Sequence, residues 1–304
     1  MAFDLSIVIC TYDRYPVLAQ AVEHLLSVGG FDPASHELLI VENTPKALQQ
    51  PLSFSSPDVR VEICKATGLS HARNHGIAHS SAPIIAFLDD DAFVCEGWCQ
   101  KILARFDEDE TLSVIGGKVV PRYESQLLPA WYSSDLAGYL SCLDWGAVPR
   151  HLHEHEWIVG ANMYYRRDVF ERFGHFNTSL GRKGNASLLS NEETELLERV
   201  GIRNIYYDPA PVVEHLIPFS RLTTQWFRKR VYWQAVSDVV AGNVAPETKS
   251  LRAEYSQVVA ALQPEHRNIN IFTFNPRDYT EFSQQLRAIY LAAVMLGGGM
   301  QAAS

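Results

Sequence analysis

Three consecutive aspartates, Asp89, Asp90 and Asp91, are the side chains whose spacing most clearly suits chemistry. They follow the apolar run IIAFL, which predicts a buried strand, so they stand at the junction between a strand and a loop. Adjacent carboxylates repel one another, and a divalent cation compensates that repulsion. Their oxygen atoms suit Mg²⁺ or Mn²⁺, with phosphate oxygens of a ligand completing the shell. A solvated acidic turn is the alternative, which the position after a buried strand disfavours.

A second acidic group, Glu192, Glu193 and Glu195, opens the helical pattern ETELLERV. The helix dipole stabilises acidic side chains in a first helical turn. Taken alone, this group therefore favours a structural role.

Histidines form a further candidate metal site. His151, His153 and His155 alternate with Glu154 and Glu156 along a segment that, if extended, could place several zinc ligands on one face. The segment lies in an irregular region and lacks a distant partner motif, which favours an exposed loop. The five cysteines are odd in number and scattered, so they predict no disulfide framework.

The elements that must position these groups alternate between strands and helices. Residues Leu5 to Thr11 form a nearly continuous apolar run, typical of a strand covered on both faces. Residues 17–28 carry apolar side chains at helical spacing, and Gly29 and Gly30 end that helix. The alternation predicts an α/β fold with a mostly parallel sheet. It continues with strands at 37–42, 59–64 and 84–88 and a helix at 70–79.

Polar clusters follow three of these predicted strands. They are Thr11 to Arg14, Glu42 to Thr44 and Asp89 to Asp91. Open α/β sheets bind their ligands at the carboxyl ends of the strands. The three clusters are therefore expected to lie at the ligand-binding edge of the sheet.

The rest of the chain is predicted more coarsely. The stretch 121–156 is rich in aromatic, Pro and His residues without a clear period and is expected to be irregular structure over the site. Its Trp131 and Trp145, with Trp157, are candidates for stacking on a sugar ring or for core packing. The other predictions are a helix at 98–106, a strand at 112–120 and a mostly helical segment at 222–304 broken near Pro246, Pro264 and Pro276.

The composition of the chain limits the classes of function that it can have. The chain has 304 residues, 26 basic and 35 acidic, for a net charge of -9. This charge opposes attraction to nucleic acid, which we do not expect as a partner. The start of the chain has no basic leader and only a short apolar run, so we expect the cytoplasm. The apolar stretch 289–300 is too short to span a bilayer and fits a buried or membrane-surface helix.

Eight segments occur in order over roughly residues 3 to 235: SIVICTYDR, LLIVENT, GLSHARNHGI, IIAFLDDDA, IVGANMYYRRDVF, FGHFNTSLGRKG, SNEETELLERVG and YYDPAPVVEH. This succession closely resembles the bacterial family 2 glycosyltransferases of the GT-A fold. One Asp-x-Asp motif alone would be weak support, whereas eight segments in order are specific. The resemblance implies a Rossmann-like, mostly parallel sheet flanked by helices at 1–220 and a helical C-terminal extension at 221–304.

The resemblance also implies roles for individual residues. Glu42 would face the nucleotide base, Arg73 would lie near the diphosphate and Asp89 would approach the ribose. The implied cofactor is Mn²⁺ or Mg²⁺, held by Asp91 and His215. The full set implied for donor binding is Thr11, Tyr12, Asp13, Arg14, Glu42, Arg73, Asp89 and Asp90.

For catalysis the resemblance implies one carboxylate base. Glu193 is the expected base and Glu192 the alternative, because the family more often has Glu-Asp here. The implied reaction is a single displacement with inversion, from a UDP-, GDP- or dTDP-sugar to a glycan or lipid-linked acceptor. Its setting would be bacterial polysaccharide or glycoconjugate biosynthesis, with peripheral association at the inner face of the membrane left open.

Two other classes of function stay open. One is a nucleotide-sugar-binding protein without turnover, which would need Asp89 to Asp91 but not the acidic pair at 192–193. The other is a zinc hydrolase built on the cluster from His151 to Glu156.

Overall fold

The computed structural model describes residues 3–125, 127–182, 188–246 and 249–297. The described residues fall into two compact units. The first lies within Met1–Arg122, Ser141–Ala186 and Glu192–Leu216. The second lies within Tyr123–Leu140, Ser187–Asn191 and Ile217–Ser304. The division of the chain at residue 220 stays a prediction.

A mixed sheet forms the centre of the first unit. Its strands are β1 (Leu5–Thr11), β2 (His36–Glu42), β3 (Val59–Ile63), β4 (Ile84–Asp89), β5 (Ala92–Val94), β6 (Val114–Tyr123), β7 (Arg150–His151), β8 (Asn162–Arg166) and β9 (Ile205–Ile217). The strand order is β3-β2-β1-β4-β8-β6-β9-β5, and β7 pairs with β9. Strands β1 to β4 are parallel neighbours, whereas β8 runs antiparallel to both β4 and β6.

Helices of the first unit are α1 (Tyr15–Val28), α2 (Leu69–His79), α3 (Trp98–Glu108), α4 (Asp168–Phe173) and α5 (Glu192–Val200). The predicted first helix begins two residues early because Pro16 occupies its first turn, where a missing N–H costs nothing. Strand β1 is an apolar run whose Ile7, Val8 and Ile9 are fully buried, as expected of a strand covered on both faces. The predicted α/β sheet is confirmed.

The second unit is mostly helical. It contains α6 (Thr224–Val240), α7 (Lys249–Ala261) and α8 (Tyr279–Gly297), with short 3₁₀ turns between the last two. Trp131 packs edge to face against Phe227 and Phe282, with ring centroids 5.7 and 4.7 Å apart. This tryptophan therefore contributes to packing within its unit. Within the described ranges, no helix combines the length and apolarity that crossing a bilayer requires.

Candidate active site

The three predicted polar clusters meet because their strands are neighbours. In the parallel register Thr11 lies beside Glu42, and Cys10 lies beside Asp89. The carboxyl ends of β1, β2 and β4 therefore lie along one edge of the sheet. The sheet thus brings together groups that are up to 80 residues apart in the chain.

Arg14 holds the aspartate turn together. Its guanidinium donates to Asp90 Oδ1 at 2.8 Å and to Asp91 Oδ2 at 2.6 Å, and Thr11 Oγ1 donates to Asp90 Oδ2 at 2.8 Å. Burial raises the pKa of Asp90 to about 7; the negative charge of Asp91 adds to that rise, while Arg14 opposes it. The pKa of Arg14 itself is raised, because the aspartate charges outweigh the desolvation that would lower it.

His215 contacts the same turn, although it lies 124 positions after Asp91 in the chain. Strand β9 pairs with β5 so that His215 lies opposite Ala92, directly after the aspartates. Its Nε2 lies 3.0 Å from Asp91 Oδ1, and both side chains are buried. Ligand atoms of Asp89, Asp91 and His215 lie within 4.8 Å of one another. Two carboxylate oxygens and one imidazole nitrogen are a donor set that fits Mn²⁺ or Mg²⁺.

Arg73 holds the second acidic group. The arginine lies on α2, and the glutamates open α5. Arg73 Nη1 lies 2.9 Å from Glu192 Oε1, and Nη2 lies 3.1 Å from Glu193 Oε1 and 3.9 Å from Asp89 Oδ1. The arginine and Glu192 side chains are 2% and 3% exposed, whereas Glu193 is 18% exposed. Glu193 is therefore the carboxylate of the pair that a bound molecule can reach.

The two glutamates differ in protonation. Burial raises the pKa of Glu192 to about 8, and the charge of Glu193 adds to the rise. Burial acts on Glu193 in the same direction, but the positive charge of Arg73, with a smaller contribution from Glu192, outweighs it and lowers the pKa. Glu192 Oε2 is buried and has no hydrogen-bond partner among the described residues, a position that disfavours a charged oxygen and suits the protonated acid. At neutral pH Glu193 is the ionised member of the pair.

Gly160 is a residue of this site that no sequence pattern indicates. A Cβ atom built on Gly160 would overlap Arg73 Nη2 and Glu193 Oε1. Only a glycine lets these two groups meet at this point. The sequence shows this glycine within the segment IVGANMYYRRDVF, but no local pattern reveals which side chains it contacts.

Glu42 and the segment after β1 form the remaining part of the site. Glu42 is buried, and its Oε1 accepts a hydrogen bond from the N–H of Thr44 at 2.8 Å. The Thr44 hydroxyl accepts from the N–H of Asp13, whose φ of 53° is in the left-handed region. Asp tolerates this conformation better than most residues. Tyr12 is half-buried beside them, and contact of this segment with a nucleotide stays a prediction.

The histidine-rich segment does not form a metal site. Both nitrogens of the Arg150 fork bind Glu156, at 2.6 and 2.7 Å, and the N–H of His153 donates to the same carboxylate. These hydrogen bonds lower the pKa of Glu156 to about 2, and those from Arg150 contribute most. Ligand atoms converge in two clusters within the described part of the chain, and neither includes a residue of 151–156. The zinc-hydrolase alternative is therefore wrong about its metal site.

Known sequences are similar to this chain over most of its length. The sequence profile described as "Glycosyl transferase family 2" matches residues 6–174, more than half of the chain. The chain is 26% identical to the glucosyl-dolichyl phosphate glucuronosyltransferase of Haloferax volcanii, over 83% of this chain and 81% of that one. It is 24% identical to the succinoglycan biosynthesis protein ExoM of Rhizobium meliloti, over 74% and 71% of the two chains.

Solved structures are similar in fold. A mannosyltransferase of Pyrobaculum calidifontis in complex with GDP-Man and Mn²⁺ aligns with a TM-score of 0.56 at 14% identity, over 97% of this chain and 88% of the other. A GalNAc-T7 crystal structure with UDP, GalNAc and Mn²⁺ aligns with a TM-score of 0.50 at 15% identity. That alignment covers 84% of this chain and 54% of GalNAc-T7, so the present chain spans about half of that protein.

Proposed function

This chain belongs to glycosyl transferase family 2 and is a glycosyltransferase of the GT-A fold, and from that premise we propose an inverting, metal-dependent transfer with Glu193 as the base. The donor is a nucleoside-diphosphate sugar and the acceptor is a hydroxyl of a glycan or of a lipid-linked saccharide. The observation that carries the proposal is the ionised, partly exposed Glu193 held beside Arg73 and near the aspartate turn.

The ion site supports the metal dependence. Asp89, Asp91 and His215 would hold the ion, and their oxygen-rich donor set matches the Mn²⁺ present in both similar structures. A bound divalent cation neutralises the charge that develops on a leaving nucleoside diphosphate. Because of this, the protein needs no acid to protonate that leaving group.

Glu193 performs the remaining proton transfer. Its carboxylate would accept the proton of the acceptor hydroxyl as the hydroxyl oxygen attacks the anomeric carbon. With one base and no protein nucleophile, the attack occurs from the face opposite the leaving group and inverts the anomeric configuration. Arg73 orients the carboxylate, and the positive charge of Arg73 keeps it ionised while the neighbouring Glu192 holds its proton.

The names of the similar proteins support one chemical class of acceptor. The Haloferax volcanii relative is named for a glucosyl-dolichyl phosphate acceptor, and the Rhizobium meliloti relative for succinoglycan, a polysaccharide. Both names support a saccharide acceptor, lipid-linked or within a growing glycan. The cytoplasmic face of a membrane, where lipid-linked saccharides are accessible to a peripheral protein, is the proposed location.

A paired substitution tests the proposed base. First, UDP-, GDP- and dTDP-sugars are screened with Mn²⁺ for release of nucleoside diphosphate by the wild type. The rates of Glu193→Gln and Glu192→Gln are then measured with the best donor. We expect the first variant to lose about 1000-fold in kcat with donor affinity nearly unchanged. We expect the second to lose less than about tenfold, because glutamine resembles a neutral glutamic acid.

The outcomes separate the alternatives. A larger loss in Glu192→Gln than in Glu193→Gln would assign the base to Glu192. Donor binding without any turnover, for every acceptor tried, would support a binding protein. A product with the donor's anomeric configuration, determined by NMR, contradicts inversion.

A further inference from the structure

A second convergence of ligand atoms lies outside the proposed active site. It consists of Glu62 on β3 and of His75 and His79 on α2, with one possible ligand atom from each lying within 4.8 Å of the others. The two histidines are four residues apart, so they lie on one face of the helix, one turn from each other. Their imidazole rings are stacked, with centroids 3.9 Å apart. The proposed transfer reaction uses none of the three.

The hydrogen bonds of His79 leave one of its nitrogens available as a ligand. Its Nδ1 lies 2.8 Å from the backbone carbonyl of His75. A carbonyl oxygen only accepts, so Nδ1 carries the proton and, in the neutral ring, Nε2 carries the lone pair. Metal-binding histidines commonly donate their other N–H to a backbone carbonyl in this way, which fixes the tautomer.

His75 presents a nitrogen that no described residue satisfies. Its Nε2 atom is buried and has no hydrogen-bond partner, and the nearest Glu62 oxygen, Oε2, is 3.8 Å away. Burial lowers the pKa of this histidine and the neighbouring His79 adds to the effect, whereas Glu62 opposes it. A buried polar atom without a partner costs free energy, which an ion bound to the ring nitrogen would remove.

Glu62 divides its two oxygens between two neighbours. Oε1 faces the guanidinium of Arg60 at 3.8 Å, and Oε2 faces His75. The guanidinium of Arg60 also lies 3.5 Å from Glu37 and donates to the backbone carbonyl of His79. One carboxylate oxygen of Glu62 is thus oriented toward the histidines.

We propose that Glu62, His75 and His79 form a binding site for a zinc-class divalent cation, separate from the ion site of the aspartates. Two imidazole nitrogens and one carboxylate oxygen are ligands that zinc takes, usually with water in the fourth position. Imidazole-rich sites favour Zn²⁺ over Mn²⁺ and Mg²⁺, whereas the carboxylates of the aspartate turn suit the harder ions. The ion would join the edge strand β3 to helix α2, which also carries Arg73.

The test measures zinc binding in a chain whose aspartate site is disabled. The tag-free full chain carrying Asp91→Asn is stripped with chelator and titrated with Zn²⁺ by calorimetry. His79→Ala, His75→Gln and the control His153→Ala are then compared in that background. His79 is exposed, so its replacement should leave thermal unfolding in chelator unchanged.

We expect the parent and the His153→Ala control to bind zinc alike and to unfold at a higher temperature when it is bound. His79→Ala and His75→Gln should each weaken zinc binding by about tenfold or more. The proposal is wrong if both variants bind zinc as tightly as the parent, or if the Asp91→Asn chain binds none.

Discussion

Two arginines in the first unit each hold a pair of carboxylates, and they do so with different results. Arg14 binds Asp90 and Asp91 at the end of β4, and Arg73 binds Glu192 and Glu193 at the start of α5. In both clusters one acid has its pKa raised by burial, Asp90 to about 7 and Glu192 to about 8. The partners of these two acids are what differ.

In the aspartate cluster the partner of Asp90 is Asp91, which lies between the side chains of Arg14 and His215. It contacts Arg14 and His215 and is 1% exposed, so it suits an ion better than a proton acceptor for substrate. In the glutamate cluster the partner, Glu193, is partly exposed and contacts the single arginine. The comparison shows how similar groups serve metal binding in one place and proton transfer in the other, according to exposure and neighbours.

Replacing Arg73 should give the largest effect and would break the second cluster. Arg73→Gln leaves the buried Glu192 and the partly exposed Glu193 without their cation, so we expect a loss of about 3 to 5 kcal/mol in the free energy of unfolding. Urea denaturation measures it. Arg172→Gln is the matched control, since Arg172 is exposed and pairs only loosely with Asp168. Equal stability of the two variants would show that Arg73 is not a structural cation.

Asp91→Asn tests whether the first cluster is the ion site. We expect activity to fall about 100-fold and to recover in part at higher Mn²⁺ concentration, because the change weakens ion binding. Kinetic titration with Mn²⁺ measures this. Asp168→Asn, on the surface of α4, serves as the control. A loss that no concentration of Mn²⁺ relieves would argue for a different role of Asp91.

Gly160→Ala sharpens the comparison because it moves the second cluster without changing its charges. The added methyl group would overlap Arg73 Nη2 and Glu193 Oε1 and would displace the ends of both side chains. We expect kcat to fall by about tenfold or more, because general-base catalysis depends on position. Steady-state kinetics and an unfolding curve are measured together. Unchanged kcat in a folded variant would mean that the base tolerates displacement.

The smallest effect is expected from the pH dependence of stability. Folded Glu192 keeps its proton up to about pH 8, whereas in the unfolded chain it ionises near its ordinary value of 4.5. The folded state thus binds more protons in this window, and stability falls as pH rises through it. Between pH 7 and pH 8 we expect the wild type to lose about 1 kcal/mol that Glu192→Gln retains. Parallel stability curves would contradict the raised pKa.

Much of the fold follows from local pattern. The apolar runs of β1, β2 and β4 predicted their strands within one residue, because burial on both faces requires uninterrupted apolar side chains. Pairings over long distances had no such signal. Strand β8 inserts antiparallel between β4 and β6, and the three-residue strand β5 pairs with β9. Neither arrangement leaves a period in the sequence.

The candidate site divides in the same way. The aspartate run after a buried strand predicted an ion site, and resemblance in ordered segments suggested Glu193 and His215. In the histidine-rich segment, by contrast, the spacing of the histidines suggested a zinc site, but the carboxylate of Glu156 pairs with Arg150 instead. Spacing indicates which ligands are near in the chain, but not which partners they find in the fold.

The sequence by itself determined the kinds of element and the chemical types at the strand ends, because apolar periodicity and residue type are local properties. Tertiary structure alone decided that Arg73 joins Glu192 to Glu193, that Gly160 leaves them room, and that Glu192 keeps its proton. The physical reason is that a pKa depends on desolvation and on charges a few ångströms away. Those neighbours are assembled from segments more than a hundred residues apart.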